Sequence, residues 1–158
     1  MIHEVNSQEV NPVYRYLWFW LAIGYALIAL VIYASLMTVL PEPVMPMRTF
    51  VKGVATEYLD RRSALWMYFD KWTHLFTYFV LMGWFAQIYH VKRQRIIYAL
   101  AFIFMSIVLE FIQSFEGVRK LEVLDIVANT FGVIAALLVT KMPVFRNILL
   151  KVESYIRF

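Results

Sequence analysis

The stretch LWFWLAIGYALIALVIYASLMTVL, residues Leu17–Leu40, decides the fold because it contains no charged side chain over 24 residues. A membrane-spanning helix needs about 20 apolar residues, so this run is long enough to cross a bilayer with some tilt. It is too long for the core of a cleaved signal peptide, and Glu4, Glu9 and Arg15 precede it. The stretch therefore predicts an uncleaved first transmembrane helix.

The composition of the whole chain places it in the same class. Of its 158 residues, 62% are hydrophobic and 16% are charged, and the mean hydropathy is +0.65. Soluble domains are about half apolar and about a quarter charged. The net charge of +4 is spread along the chain without a basic block, which argues against nucleic acid as a partner. The absence of cysteine excludes disulfides, thiolate metal sites and cysteine nucleophiles.

Three further apolar windows follow the first one, each of roughly the 20 residues that one membrane pass requires. We therefore predict an all-α integral membrane protein that forms a single domain over residues 1–158. Its fold is a bundle of four transmembrane helices over about 17–40, 72–89, 96–115 and 121–140.

Two segments outside these spans have the spacing of amphipathic helices. The connection Pro41–Phe69 opens with PEPVMP, an extended turn, and continues with apolar residues at helical spacing among charged ones. The tail Val144–Phe158 repeats this pattern with basic residues on its polar side. We predict that an amphipathic segment lies in the membrane interface between helices 1 and 2, and that the C-terminal tail is a second one.

Basic residues in the short loops predict the orientation. The loop His90–Arg95, HVKRQR, has three Lys or Arg residues and no acid, and the segment after Thr140 has four against one acid. Because cytoplasmic loops carry an excess of Lys and Arg, this loop and the C-terminus are predicted to face the cytoplasm, together with the N-terminus. The mixed charges of the segment 41–71 weaken this bias without reversing it.

Polar side chains enter the second, third and fourth spans at a common depth, in the outer third of the bilayer. Asp70 and His74 are four residues apart, as are Asp125 and Asn129, so each pair shares a helix face. The full set comprises Asp70, Lys71, His74, Tyr78, Glu110, Gln113, Arg119, Asp125 and Asn129.

Charged groups within a membrane predict a functional site, because each costs about 2.5–3.5 kcal/mol at the centre of the bilayer. The competing interpretation is a hydrogen-bond network that only holds the bundle together. It explains Asn129 well, since an interhelical amide bond is sufficient for that residue. Lys71 is interpreted as extending to the headgroups and Glu122 as a solvated cap. His3 and His90 lie in polar flanks and are interpreted as incidental.

The combined pattern resembles the signature of the VanZ-like membrane proteins. It consists of Asp70-Lys71-x-x-His74-x-x-x-Tyr78, Glu110-x-x-Gln113, Arg119, and Asp125-x-x-x-Asn129-x-x-Gly132. The chain departs from the family at Val118, where a proline or a small residue is expected, and at the extra acid Glu122. The resemblance implies a small four-helix protein of the bacterial inner membrane. The family is named after a member associated with resistance to the glycopeptide antibiotic teicoplanin, but the resemblance implies no established reaction.

One hypothesis is an intramembrane enzyme that acts on a lipid-linked or cell-envelope substrate at the outer leaflet. His74 would be the general acid or base, oriented by Asp70 or Asp125, and Glu110 would be a second proton carrier. Arg119 would bind a phosphate or carboxylate of the substrate. The other polar positions are predicted to bind the substrate: Lys71, Tyr78, Gln113 and Asn129.

Two alternatives stay open. The site would bind or transport a lipid or an antibiotic without chemistry, or the chain would be a structural subunit of a membrane complex or a homo-oligomer. The ridge Ala128-xxx-Gly132-xxx-Ala136 suits close helix packing, within the chain or against a partner. Membrane lipids and a lipid-linked envelope precursor are the predicted partners.

No cofactor is predicted. Three carboxylates and one imidazole would suit Mg²⁺ or Mn²⁺ better than zinc, but the sequence contains no compact metal motif.

Overall fold

The computed structural model describes residues 10–37, 63–115 and 122–156, and these residues are helical without any β-strand. The helices, in chain order, are α1 Leu17–Met37, α2 Ser63–Ile88, α3 Lys92–Phe115, α4 Val123–Val139, α5 Pro143–Arg146 and α6 Ile148–Ile156. Most of the predicted interfacial segment, over residues 41–62, lies outside the described residues, as does Arg119.

Two of the helices are long and apolar enough to cross a membrane by length and composition. They are α1 over Leu17–Met37 and α3 over Lys92–Ser114, and the apolar helix α4 is shorter, at 17 residues. The all-helical fold is therefore confirmed, whereas the four-span bundle stays a prediction.

Helix α2 begins earlier than the hydropathy pattern predicts, at Ser63 rather than at residue 72. Asp70 and Lys71 consequently lie in the interior of this helix and not at its N-terminus. Charged side chains do not interrupt main-chain hydrogen bonding, and no proline or glycine occurs between Ser63 and Phe79. The apolar window therefore marks the hydrophobic part of this helix and not its first residue.

Helix α2 packs most extensively against α4, and Gly132 sets the distance between them. A Cβ atom at Gly132 would lie 2.2 Å from the main-chain oxygen of Leu75 and 3.0 Å from the main-chain nitrogen of Phe79. Only glycine allows the two backbones to come this close. The small-residue ridge of α4 is thus occupied within the chain by α2.

Helix α1 is held against α2 at two levels. Near its start, Trp84 Nε1 donates a hydrogen bond of 3.0 Å to the main-chain oxygen of Trp20. At Gly24, an added Cβ atom would lie 3.0 Å from the ring atoms of both Trp84 and Phe85. Phe85 also stacks on Tyr98 of α3, with ring centroids 4.7 Å apart. This aromatic ring therefore joins three helices.

Apolar side chains face outward and polar ones inward along these helices. The exposed fractions of Phe104 and Phe131 are 67% and 60%, whereas those of Ser106, Asp125 and Asn129 are 1%, 2% and 2%. Contiguous exposed apolar surface is uncommon in soluble monomers. The arrangement is the one expected of helices whose outer faces contact an apolar medium.

The last helix, α6, binds the start of α1 through hydrogen bonds. The carboxylate of Glu153 accepts hydrogen bonds from the main-chain nitrogens of Arg15 (3.1 Å) and Tyr16 (3.0 Å), and from Trp20 Nε1 (2.7 Å). The first N–H groups of a helix have no partner within it, so a carboxylate stabilises this end. Leu149 and Glu153 are buried, so one side of the predicted amphipathic tail packs on the protein.

The nearby hydroxyl of Tyr14 donates to the main-chain oxygen of Gln87 at 2.5 Å. Burial, together with the Glu153 carboxylate, raises the pKa of Tyr14 to about 12. This hydroxyl therefore stays protonated and serves as a donor at physiological pH. It links the segment before α1 to the end of α2.

We predict that Gly132→Ala lowers the thermal unfolding midpoint of the detergent-solubilised protein. The added methyl group collides with main-chain atoms of α2, and overpacking of this kind costs about 1–3 kcal/mol. Gly83→Ala is the matched control, because a Cβ atom there meets nothing within 4 Å and alanine favours a helix over glycine by about 1 kcal/mol. Equal midpoints for the two variants would contradict the close contact.

Candidate functional site

A charged cluster joins α2 to α4, and we define it as Asp70, Lys71, His74, Glu122 and Asp125. Asp125 lies at its centre, with 3% of its side chain exposed. Its Oδ1 accepts a hydrogen bond from Lys71 Nζ, and its Oδ2 lies 3.7 Å from His74 Nε2. Each oxygen of one buried carboxylate therefore faces a different basic group.

The position of Asp125 in the first turn of α4 places its carboxylate beside the positive end of the helix dipole. Its main-chain nitrogen bonds to the oxygen of Glu122 at 2.9 Å, and the partial positive charge of a helix N-terminus stabilises a nearby anion. An unpaired carboxylate in such a buried place would be strongly unfavourable. The helix terminus and Lys71 together offset that cost.

Lys71, interpreted from its sequence position as extending to the headgroups, contacts the acids of the charged cluster. Its Nζ donates to Glu122 and Asp125 and lies 3.6 Å from Asp70 Oδ2. Only 18% of its side chain is exposed, compared with 46% for Glu122. Three carboxylates thus surround one ammonium group, which leaves these described residues with an excess of negative charge while His74 is neutral.

A second chain of polar contacts fixes the ring of His74. Its Nδ1 lies 3.2 Å from Asn129 Oδ1, and Asn129 Nδ2 donates to Ser106 Oγ at 2.7 Å. An amide oxygen only accepts hydrogen bonds, so in this arrangement Nδ1 carries the hydrogen. Nε2, which faces Asp125, is then the nitrogen that accepts a proton. A hydrogen bond on one nitrogen that prepares the other for chemistry is common at functional histidines.

Access to the charged cluster comes from the side of α2. The side chains of Asp70 and His74 are 41% and 24% exposed, whereas Asp125 lies behind them. The exposed groups are the ones that a bound molecule would contact first. The buried carboxylate is placed to stabilise a positive charge on the imidazole.

Three side chains of the charged cluster could also hold a divalent ion. One ligand atom each from Asp70, His74 and Asp125 lie within 4.8 Å of one another. Hard cations accept such oxygen ligands, but Lys71 already contacts Asp125. An ion at this place would have to displace the ammonium group or share the carboxylate with it.

Helix α3 contributes polar residues at two different places. Tyr78 of α2 is buried and hydrogen bonds to Ser106, and the buried carboxyl group of Glu110, one turn further along α3, lies close enough to interact with it electrostatically. Gln113 instead donates from Nε2 to the main-chain oxygen of Ser35 on α1, at 2.9 Å. Gln113 therefore secures the last turn of α1.

Three residues that were not predicted as site residues are buried, and two of them bind other helices through their side chains. Ser106 has no charge to mark it, although it precedes Glu110 by four residues and so shares its face. Glu153 is the one acid among the basic residues of the tail. His90, interpreted as incidental, is only 8% exposed.

Comparisons of the chain with protein-family models, curated proteins and solved structures found no match. The resemblance to VanZ-like proteins accordingly stays a prediction that rests on the motif residues.

We predict that Asp125→Asn lowers the free energy of unfolding in detergent by about 1–3 kcal/mol, because it leaves the Lys71 ammonium poorly paired. Glu122→Gln is the matched control, since it removes an equal charge from the more exposed partner and should cost at most about 1 kcal/mol. Denaturant unfolding measures both variants. Combining Asp125→Asn with Lys71→Gln should cost less than the sum of the single changes, and strict additivity would contradict a direct pair.

Proposed function

We propose that this chain is a four-span membrane protein of the VanZ-like type, with its charged cluster near the outer face of a bacterial inner membrane. The apolar length of α1 and α3 supports membrane residence. Helix α2 also presents an apolar face to the outside, since Phe69, Trp72 and Phe76 are 64%, 66% and 64% exposed. At 17 residues, α4 is at the short end of what spans a bilayer.

The contacts at the other end of the bundle support the proposed orientation. Asn11 Oδ1 accepts hydrogen bonds from the main-chain nitrogens of His90 (2.8 Å) and Val91 (3.1 Å). The segment before α1 therefore lies beside the basic loop between α2 and α3, and Glu153 brings α6 to the same end. Basic residues collect on the cytoplasmic side of membrane proteins, which leaves the charged cluster at the outer side.

The proposed activity is acid–base catalysis on a lipid-linked or cell-envelope substrate. The buried carboxylate of Asp125, placed between Lys71 and His74, is the observation that carries this proposal. A carboxylate that faces an imidazole stabilises the imidazolium formed when the ring accepts a proton. His74 Nε2 would take that proton from a hydroxyl group or a water at the substrate, and would later return it to the leaving group.

The neighbouring residues have complementary roles in this proposal. Asn129 keeps the His74 ring in the orientation that leaves Nε2 toward Asp125. Asp70, on the exposed side, would contact the substrate together with Lys71. Glu110, next to Tyr78, would be a second proton carrier deeper in the bundle. Arg119 keeps its predicted role in binding a phosphate or carboxylate group.

A non-catalytic site for a lipid or an antibiotic would use the same residues without changing the ligand chemically. The two proposals therefore differ in their products. A binding site alone would tolerate the loss of proton transfer at His74 as long as its charges persisted, whereas an enzyme would not.

We predict that expression of this protein changes the abundance of at least one envelope lipid or lipid-linked precursor, and that His74→Ala abolishes the change. General acid–base groups contribute about 10²–10⁴-fold to rate, so the variant should lose nearly all of the product. Mass spectrometry of lipid extracts from cells with the wild-type chain, the variant or an empty vector measures it. Susceptibility of the same cells to teicoplanin provides a second readout.

Thr73→Ala is the matched control, because Thr73 adjoins His74 but is exposed and bonds only to the main-chain oxygen of Phe69 among the described contacts. It should retain the lipid change at equal membrane abundance. Glu110→Ala is expected to lose the change as well. Full retention in both His74→Ala and Glu110→Ala would overturn the catalytic proposal, and an unchanged lipid profile with wild-type protein would favour binding alone.

A further inference from the structure

A second polar site lies at the opposite end of α2 from the charged cluster. We call it the basic pocket: a cavity of about 340 Å³ whose lining includes Pro12, His90, Lys141, Arg146, Asn147 and Leu150. These residues come from the segment before α1, the α2–α3 loop, the turn after α4, and the helices α5 and α6. At 1.5 Å rise per residue, the 18 residues between Asp70 and the end of α2 at Ile88 separate the two sites by about 27 Å.

His90 is the most informative residue of the basic pocket. It is 8% exposed, and among the described residues its Nε2 has no hydrogen-bond partner. Its main-chain nitrogen is fixed by Asn11 Oδ1 at 2.8 Å, which holds the residue in place. Buried polar atoms in native proteins almost always have partners. His90 lines the basic pocket, and its buried ring nitrogen without a partner therefore indicates a ligand that would supply one.

The charges around the basic pocket define the class of that ligand. Lys141 and Arg146 line it, and none of the described lining residues is acidic. Burial, with the guanidinium groups of Arg95 and Arg146, lowers the pKa of His90, and the main-chain oxygens of Gln87 and Arg146 oppose this only in part. Glu153 on α6 is occupied by the start of α1. Without a ligand the ring is therefore neutral and carries a single N–H. An anion with several acceptor oxygens beside it would favour the protonated ring, in which Nε2 also donates.

We propose that the basic pocket binds a phosphate group, with His90 Nε2 donating a hydrogen bond and Lys141 and Arg146 pairing with the charge. Arginine forms two parallel hydrogen bonds with phosphate oxygens, and lysine supplies a compact charge. Pro12 and Leu150 give the pocket an apolar border beside these groups. The phosphate belongs to an anionic lipid headgroup or to a free phosphate ion, and both sources present the same oxygens.

This proposal is independent of the catalytic one, because none of its residues belongs to the charged cluster. Basic pockets between helices on the cytoplasmic side of membrane proteins are suited to phospholipid headgroups. Occupation of the basic pocket would add contacts between α4, α5 and the α2–α3 loop. The ligand would then stabilise the end of the bundle where the segment before α1, the loop and α6 meet.

The test is thermal unfolding of the full chain in uncharged detergent with three probes: inorganic phosphate, dihexanoyl phosphatidylglycerol and dihexanoyl phosphatidylcholine at equal ionic strength. We expect the phosphatidylglycerol, the phosphate, or both to raise the unfolding midpoint, and the zwitterionic lipid to have a much smaller effect. Stabilisation by both anionic probes supports a site for any phosphate, and stabilisation by phosphatidylglycerol alone supports a lipid site. No stabilisation by either would overturn the proposal.

Matched variants separate the basic pocket from general charge attraction. Arg146→Gln and Lys141→Gln should each weaken the apparent affinity about tenfold, the loss expected for one charge-assisted hydrogen bond. Lys151→Gln removes the same charge from an exposed position of α6 outside the pocket, and it should leave the affinity unchanged. Equal weakening in all three variants would overturn the proposal.

His90→Leu distinguishes ligand binding from a structural role. Without ligand this variant should unfold at the same or a higher temperature, because an unpaired buried nitrogen is removed. Its response to the anionic probe should be lost. In the wild-type chain, ¹⁵N NMR of histidine should show that the bound probe raises the pKa of His90 back toward the ordinary 6.5. An unchanged response in His90→Leu would contradict the assignment of Nε2.

Discussion

The close approach of α2 and α4 at Gly132 is the constraint on which the charged cluster depends. The main chains are near enough there that a single methyl group would collide with Leu75. Asp125 lies two turns before Gly132 in α4. The same separation of the helices there places Lys71 and His74 beside its two carboxylate oxygens. A wider separation would leave a buried carboxylate without partners, so the glycine and the ion pairs support each other.

The two polar sites at opposite ends of the bundle differ in the charge that predominates among their described residues. One end has three carboxylates around an ammonium group, and the other has Lys141, Arg146 and a neutral imidazole around a cavity. The aromatic and aliphatic core between them includes Phe85 and contains no ion pair among the described residues. Two polar ends separated by an apolar core are the distribution that a bilayer favours.

Sequence spacing predicts which residues share a face of one helix, but not how that face is rotated against its neighbours. The i, i+4 pairs of α2 and α4 were expected to face each other, and His74 does contact both Asp125 and Asn129. Gln113, expected at the same site, donates to the main chain of α1, a contact that sequence spacing within α3 does not indicate. Glu153 and His90 were not predicted as site residues. They lie outside the apolar windows, and Glu153 binds residues 137 and 138 positions away.

The link between Glu153 and the start of α1 has a consequence for the order of assembly. Ribosomal synthesis delivers α1 first and α6 last, so the N–H groups at the start of α1 lack this carboxylate until residue 153 has been made. During that interval α1 depends on contacts that do not involve α6, such as the hydrogen bond from Trp84 to the main chain of Trp20. Docking of α6 would then supply the Glu153 carboxylate to the start of α1, after the packing of α1 against the intervening helices has been set.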